Sequence, residues 1–512
     1  IAAMISEGFT GNKGKGGFYR RGKDGEAQVL DIPDGGVRTR SSQLPEKARQ
    51  AAVNLAQGRE PLLDLVRDDP VDGDSAHTRF CRNVLARVLA YAASLIPDVT
   101  ESPQDIDDAM KLGFNWIRGP FEMMDALGRE TLLQMIAEAG ITPPAVLADT
   151  SSGPFYSCVG QQLQVRCYRP ETAGQGVLEA VSLPPQVVRF HMQRRCLEPL
   201  LSNRAASLFE LDDDLRLLEF HSKANALTRE SMDIVTAAAV NPGRGIIRQN
   251  EAQHFSAGVD HNGVLELIED RNWTGIDEFL VHFQQAVKAL KYAPVPVVAA
   301  PSGLAIGGGF EVIVHADKVI AHANTVMGLV ETGVGLVPGG GGVKETFRRW
   351  YEQSGDSTRA AWNTWMQIGY GRTGSSPEQS AGLMYYLENR DEMVMNRDRL
   401  VSAAVSAIER LNRAGYAVPD STPLVLPGRA ILEDMAAFME RGISDGLFYP
   451  HDKTVAMAVA GIVVNSEGDQ PLEVDEEVLF ARERDAFVTL AQTEETHARI
   501  HSLLNRGRAI RN

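Results

Sequence analysis

Hydrophobic positions recur along this chain at two different periods. Phe80, Val84, Leu85, Val88, Leu89 and Leu95 fall at steps of three and four, which predicts a helix with one apolar stripe. The helical period continues through Asp105–Gly128, where Gly119-Pro120 marks a break between two helices. From Asn203 to Thr228 apolar and polar residues alternate instead. Leu215–Phe220 reads as a strand there, entered through an acidic turn at Asp212–Asp214. A second strand is expected from Gly245, and Trp273–Tyr292 returns to helical spacing, stopping before Pro294. A short apolar run, Val295–Ala300, then gives way to Gly307-Gly308-Gly309 and Glu311, the order of strand, tight turn and helix. Beyond Val343 the period is mostly helical: Ala360–Gly371, Ser376–Tyr386, Arg397–Ala414, Gly428–Arg441, Pro450–Val464 and Asp475–Leu503. Arg349–Thr358 reads as polar and exposed. Ala27–Asp74 is expected to be a linker with some helix, and Ala145–Leu200 a connector with two short strands, Leu163–Tyr168 and Val177–Val181.

The glycine turn carries the strongest chemical signal. A helix starting there directs unpaired N–H groups and its positive dipole end at whatever occupies the turn, which suits an oxygen gaining negative charge. A glycine turn before a helix is by itself most often only a turn, and glutamate is favoured in a first helical turn without any catalysis. A second motif changes that weighing. HFSAGVD, His254–Asp260, precedes the triple glycine by about fifty residues, and Glu331 follows it. Together these segments resemble the core of the crotonase (enoyl-CoA hydratase/isomerase) superfamily. The resemblance implies that the backbone N–H groups of Val259 and Gly308 form an oxyanion hole for a CoA thioester carbonyl, and that Glu311 and Glu331 carry the protons. It assigns water activation to Glu311 and protonation at C2 to Glu331; sequence alone does not order the two roles. It also brings Ala257, Lys223 and Ala224 toward the substrate, with Lys223 as a candidate for the CoA phosphates against the plainer reading of a solvated turn. His254 and His261 flank the loop, have no place in the family pattern, and read as surface or supporting residues. Asp260 is expected to cap the next helix. No Gly-Lys-Ser/Thr follows any glycine cluster, which excludes a Walker-type phosphate loop.

Adding water to a 2-enoyl thioester needs a polarised carbonyl, a water deprotonated beside C3 and a proton delivered at C2. Two carboxylates sharing a dry pocket do not both ionise freely, so one is left as base and the other as acid.

Two further stretches resemble another family. DIDDAMKLGFNWIRGPFEMMDALG, Asp105–Gly128, is similar to the signature of the C-terminal helical repeat of 3-hydroxyacyl-CoA dehydrogenases, and GNKGKGGFYRR, Gly11–Arg21, resembles the end of the helical domain of the same dehydrogenases, where a glycine and lysine run finishes in Gly-Phe-Tyr. Between Ile1 and Ser202 no strand leads into a G-x-G-x-x-G turn, so NAD is expected to belong to a dehydrogenase half absent from this chain. The closing GRAIRN resembles the bifunctional branch that carries the dehydrogenase first and the hydratase second. Ile1, which is not a methionine, is expected to be a point inside a longer product. The expected architecture is an α/β crotonase (ββα superhelix) domain over 203–395, an all-α dehydrogenase C-terminal-type domain over 1–135 before it, a connector over 136–202, and a helical C-terminal region over 396–512.

Composition narrows the partners. The 512 residues are 44% hydrophobic and 23% charged, with a formal net charge of -16. Such a charge argues against nucleic acid as a partner, since phosphate neutralisation needs clustered Lys and Arg. No apolar run reaches the ~20 residues that span a bilayer, and no signal peptide is visible. Cys81, Cys158, Cys167 and Cys196 form no CxxC pair and no zinc spacing, and are expected to be buried reduced thiols of a cytoplasmic protein. No metal or cofactor is expected for hydration, acyl-CoA is the expected substrate, and the chain is expected to form a homo-oligomer. Two competitors stay open: an enoyl-CoA isomerase, which usually needs one carboxylate, and a noncatalytic acyl-CoA-binding or assembly module.

Overall fold

Leu215–Phe220 is fully buried along its length and pairs antiparallel with Ala206–Leu211 across the tight Asp212–Asp214 turn, so the alternating stretch folds as a hairpin. This hairpin is the nucleus of a seven-stranded sheet in a computed structural model that describes residues 1–11, 13–22, 26–32, 35–40, 45–56, 62–67, 75–114, 116–148, 153–169 and 175–512. Parts of the expected linker at 27–74 and connector at 145–200, and Asn12 in the glycine-rich opening, lie outside the described residues.

The chain divides into two compact units, one of residues 1–100 with 105–151 and the other of residues 101–104 with 152–512. In the first unit the expected helices are present at Ala76–Ser94, Pro103–Phe114 and Pro120–Leu127. Gly119 and Pro120 start the last of these, and the buried Asp107 carboxylate accepts the N–H groups of Phe121 (2.7 Å) and Glu122 (3.1 Å), satisfying donors that a helix start leaves free. The buried stripe of Ala76–Ser94 is rotated from the expected one. Ala86, Leu89, Ala90 and Ala93 face inward, whereas Phe80 is 68% exposed and Val84 42%. Alanines allow close helix approach, which hydrophobicity alone does not signal. The expectation of an all-α domain over 1–135 is corrected at its start: Tyr19–Arg21, ahead of the expected linker, and Ala27–Leu30 and Val37–Thr39 within it form an antiparallel meander.

The second unit opens with three antiparallel strands, Tyr156–Val159, Gln162–Tyr168 and Gly176–Ala180, the last two at the positions expected. The cysteine expectation is corrected here. Cys158, on the first strand, and Cys196, in the short turn Arg194–Cys196, form a disulfide with Cα atoms 5.4 Å apart, leaving Cys81 and Cys167 as thiols. A separation of 38 residues in sequence conceals a contact made by tertiary folding.

In the main sheet Leu215–Phe220, Gly245–Arg248, Val297–Ala299, Lys318–His322 and Glu392–Val394 run parallel, and the hairpin partner Ala206–Leu211 is followed by Leu201–Ser202, antiparallel to it, at one edge. A smaller sheet carries Leu304–Ile306 and Val326–Gly328 in parallel. Helices Arg229–Val240 and Trp273–Lys291 pack together over the core, which holds Phe220, Phe283, Phe310 and Phe347. Asp260 caps the helix His261–Glu269 by accepting the N–H of Asn262 (3.1 Å).

Three of the expected C-terminal helices appear at Leu400–Arg413, Ala430–Ser444 and Pro450–Val463. The long Asp475–Leu503 segment is two helices, Glu476–Ala491 and Glu494–Arg506, with Thr493 capping the second. Short strands Leu424–Leu426 and Leu472–Val474 pair between them. The polar Arg349–Thr358 stretch is also corrected. Helix Gly342–Ser354 runs through its first half, and Arg349 is buried with its guanidinium on the carbonyls of Met384 (2.9 Å) and Tyr385 (3.0 Å). Arginine's fixed fork of donors lets it satisfy backbone carbonyls inside a core.

Candidate active site

Two loops meet at the end of the parallel strands. Phe255 N–H donates to Ser302 O (2.9 Å) and Ser256 N–H to Leu304 O (2.9 Å), so the loop after Gly245–Arg248 lies along the strand that leads into the glycine turn. Gly307 turns the chain with φ 53° and ψ -132°, a conformation open only to glycine, and helix Gly308–Val314 begins at once. A Cβ placed on Gly258 would stand 3.7 Å from Gly308 N, and one on Gly308 would stand 2.9 Å from Val259 Cγ2. Val259 and Gly308 are therefore neighbours. Neither of their N–H groups has an acceptor among the described residues, whereas Gly258 and Asp260 O and N atoms are used in the bridge to Leu227. One amide at a helix start and one from the neighbouring loop are the kind of donors that can receive a developing negative charge.

Glu311 sits in the first turn of that helix, 2% exposed. Its Oε1 accepts two amides of the following glycine loop, Gly340 N–H (2.7 Å) and Gly342 N–H (2.9 Å). Glu331 opens the short turn Glu331–Val334, and its Oε2 accepts the N–H of Val330 (2.8 Å). Each carboxylate thus keeps one oxygen bound and one oxygen with no donor among the described residues. Both glutamates line one cavity of about 420 Å³, with Ala257, Val259, Leu280, Phe283, Phe487 and Leu503 among its walls. Burial pushes the Glu311 carboxyl up to about 7 against the pull of its two amides. Burial, and then the charge of Glu311, push Glu331 up to about 8. Two carboxyls raised in this way suit one acid and one base near neutrality.

Of the residues singled out in the sequence, Ala257, Val259, Glu311 and Glu331 line the cavity, and Gly308 lies directly behind the lining residue Gly307. Ala257 N–H donates to Ala224 O (3.2 Å), which ties the Lys223–Asn225 turn to the loop. Lys223 and Ala224 are exposed and lie outside the cavity lining. His254 accepts the Leu304 N–H (3.3 Å) and supports the loop, whereas His261 lines the cavity. Sequence reading missed Glu483, which is fully buried beside the glycine loop. A signal was available: Glu483 stands on the apolar stripe of its helix, between Leu479, Phe480 and Phe487. Gly340 also shapes the site. A Cβ there would stand 2.3 Å from a Phe283 ring carbon and 2.9 Å from Glu311 Oε2, so the glycine makes room for both.

Residues 219–355 match the enoyl-CoA hydratase/isomerase family, and residues 80–158 match the C-terminal domain of 3-hydroxyacyl-CoA dehydrogenase. The match to a crotonase-type family thus lies over the parallel sheet and the glycine turn, with the dehydrogenase C-terminal-type match ahead of it. It is 29% identical over 515 residues to a Bacillus subtilis protein named "Probable 3-hydroxyacyl-CoA dehydrogenase", covering 99% of this chain and 63% of that one. It is 25% identical over 507 residues to the Rickettsia felis "Putative fatty acid oxidation complex trifunctional enzyme", covering 98% and 61%. The chain thus spans less than two thirds of the length of these curated relatives. The crystal structure of enoyl-CoA hydratase from Bacillus halodurans aligns with a TM-score of 0.41 at 18% identity, over 58% of this chain and 100% of that one. Among the described residues no helix is long and apolar enough to cross a membrane.

Proposed function

We propose that the crotonase domain adds water to 2-enoyl-CoA to give 3-hydroxyacyl-CoA, in fatty-acid β-oxidation. The observation that carries this reading is the pairing of two carboxyls of raised pKa, Glu311 and Glu331, in one cavity whose rim holds two unused amides. The thioester oxygen accepts the N–H groups of Val259 and Gly308. Ionised Glu311 takes a proton from water, whose oxygen bonds to C3. The electron pair of the double bond moves to the enolate, and protonated Glu331 delivers its proton to C2. Glu331 has then lost a proton to C2 and Glu311 has gained one from water, with no net change of charge in the pair. Each acid–base role typically contributes on the order of 10² to 10⁴ in rate, and each amide about 10² to 10³.

On this reading hydration takes no metal or nucleotide, and NAD serves only a dehydrogenase portion outside this chain that oxidises the product. Cytoplasmic placement and assembly into a homo-oligomer belong to the same proposal. An isomerase usually needs one working carboxylate, and here both glutamates have a free oxygen at the cavity. The test is absorbance of the conjugated thioester with crotonyl-CoA. Loss of absorbance in step with 3-hydroxybutyryl-CoA formation is expected. Binding without turnover, or turnover of a 3-enoyl-CoA alone, would replace hydration with the scaffold or the isomerase reading.

A further inference from the structure

The glycine loop that holds Glu311 is itself held from a distant part of the chain. Glu483, on helix Glu476–Ala491, is fully buried. Its Oε2 accepts Gly341 N–H (2.7 Å) and its Oε1 accepts Lys344 N–H (2.7 Å). Between and beside these bonds, Gly340 and Gly342 donate to Glu311. Successive amides of one turn thus alternate between two carboxylates, Gly340 and Gly342 to one and Gly341 and Lys344 to the other. Helix Gly342–Ser354 starts at this turn with glycine in its capping position and no side-chain cap of its own, so Glu483 supplies the acceptor that its first turn lacks. The fit around Gly341 is tight: a Cβ there would stand 2.7 Å from Phe480, a residue of the same helix as Glu483.

We infer that Glu483 is a positioning residue for hydration, fixing through the Gly340–Gly342 turn the direction in which Glu311 presents its free oxygen to the cavity. The inference rests on Glu311 being the working base. Glu483 does not line the cavity, so it acts through the turn and not on substrate. The electrostatics agree with this geometry. Burial first, and then the charge of Glu311, push Glu483 well above the usual carboxylate range, while the two amides and the Lys344 ammonium pull it back. The glycine turn therefore lies between two buried acids, and Glu483 senses the charge of Glu311 across it. A displacement of about 1 Å in a reacting group costs on the order of 10²-fold in rate, so a small relaxation of this turn is enough to matter.

The near-isosteric Glu483→Gln variant tests this, because its amide presents a donor to one of the two N–H groups it must accept. The expected result is a loss in kcat of about 10-fold or more, with KM for crotonyl-CoA unchanged, since the thioester amides are untouched. In a Glu311→Gln background the same change should cost nothing further, because two groups acting as a unit are not additive. Hydrogen exchange at Gly340–Gly342 should quicken in Glu483→Gln and stay unchanged elsewhere in the crotonase domain. A kcat within twofold of wild type, or an equal further loss in the double variant, would overturn the inference. If the wild-type chain fails to hydrate crotonyl-CoA, the hydratase reading falls by itself. Unchanged exchange at Gly340–Gly342 would still overturn the positioning role.

Discussion

At the scale of single residues, Glu311 and Glu331 have the environment of an acid and a base that divide one proton. Burial lifts Glu311 to about 7, and burial with the neighbouring charge lifts Glu331 to about 8. The direction of the pH dependence follows. On the proposed mechanism activity needs Glu311 ionised and Glu331 protonated, so kcat/KM should rise as pH increases through about 7 and fall as it increases beyond about 8. A rate that stays flat from pH 5.5 to 9.5 would contradict these assignments. Both glutamates were legible because each stands next to its own backbone signal, one after a triple glycine and one at the next turn. Glu483 was not, since its amide partners lie 139 and 142 residues earlier in the chain. His261 was set aside because its motif requires no histidine, yet its place after Asp260 puts it on the cavity wall.

At the scale of elements, the helices Trp273–Lys291, Gly342–Ser354 and Glu476–Ala491 are joined behind the glycine loop by a buried charge network. Lys344, with no exposed side chain, lies 3.0 Å from Glu476 and bonds Glu345, while Lys291 reaches Glu345 at 2.6 Å and Glu476 at 3.2 Å. Removing one member of such a network leaves its partners buried without compensation. Lys344→Met should therefore lower stability by about 3 kcal/mol in denaturant unfolding; a change below ~0.5 kcal/mol would show the network to be dispensable. Hydrophobic period located Trp273–Lys291 and Glu476–Ala491, apart from the break at Thr493, where a cap divides what reads as one long helix, but not Gly342–Ser354, whose buried polar residues hide its packed side. Period did not give their rotation. On Ala76–Ser94 the larger apolar residues Phe80 and Val84 face outward, and the alanines face the packed side.

At the scale of the whole molecule, one chain joins a dehydrogenase C-terminal-type domain to a crotonase domain, an order that its motifs announced in sequence. The resemblance covered local signatures and left tertiary pairing out, which is why the Cys158–Cys196 bridge was read as two thiols. Alkylation of the unfolded, unreduced protein should count two thiols, Cys81 and Cys167, and four after reduction; four without reduction would remove the bridge. The extended C-terminal region contributes Phe487 and Leu503 to the cavity, so the site is completed by helices far from either motif. The most direct measurement of the central claim compares Glu311→Gln and Glu331→Gln with wild type, reading crotonyl-CoA hydration and acyl-CoA binding together. Each substitution should lower kcat by about 10²-fold or more with binding nearly unchanged. Near-normal turnover in either variant would contradict the assignment of the two carboxyls to proton transfer.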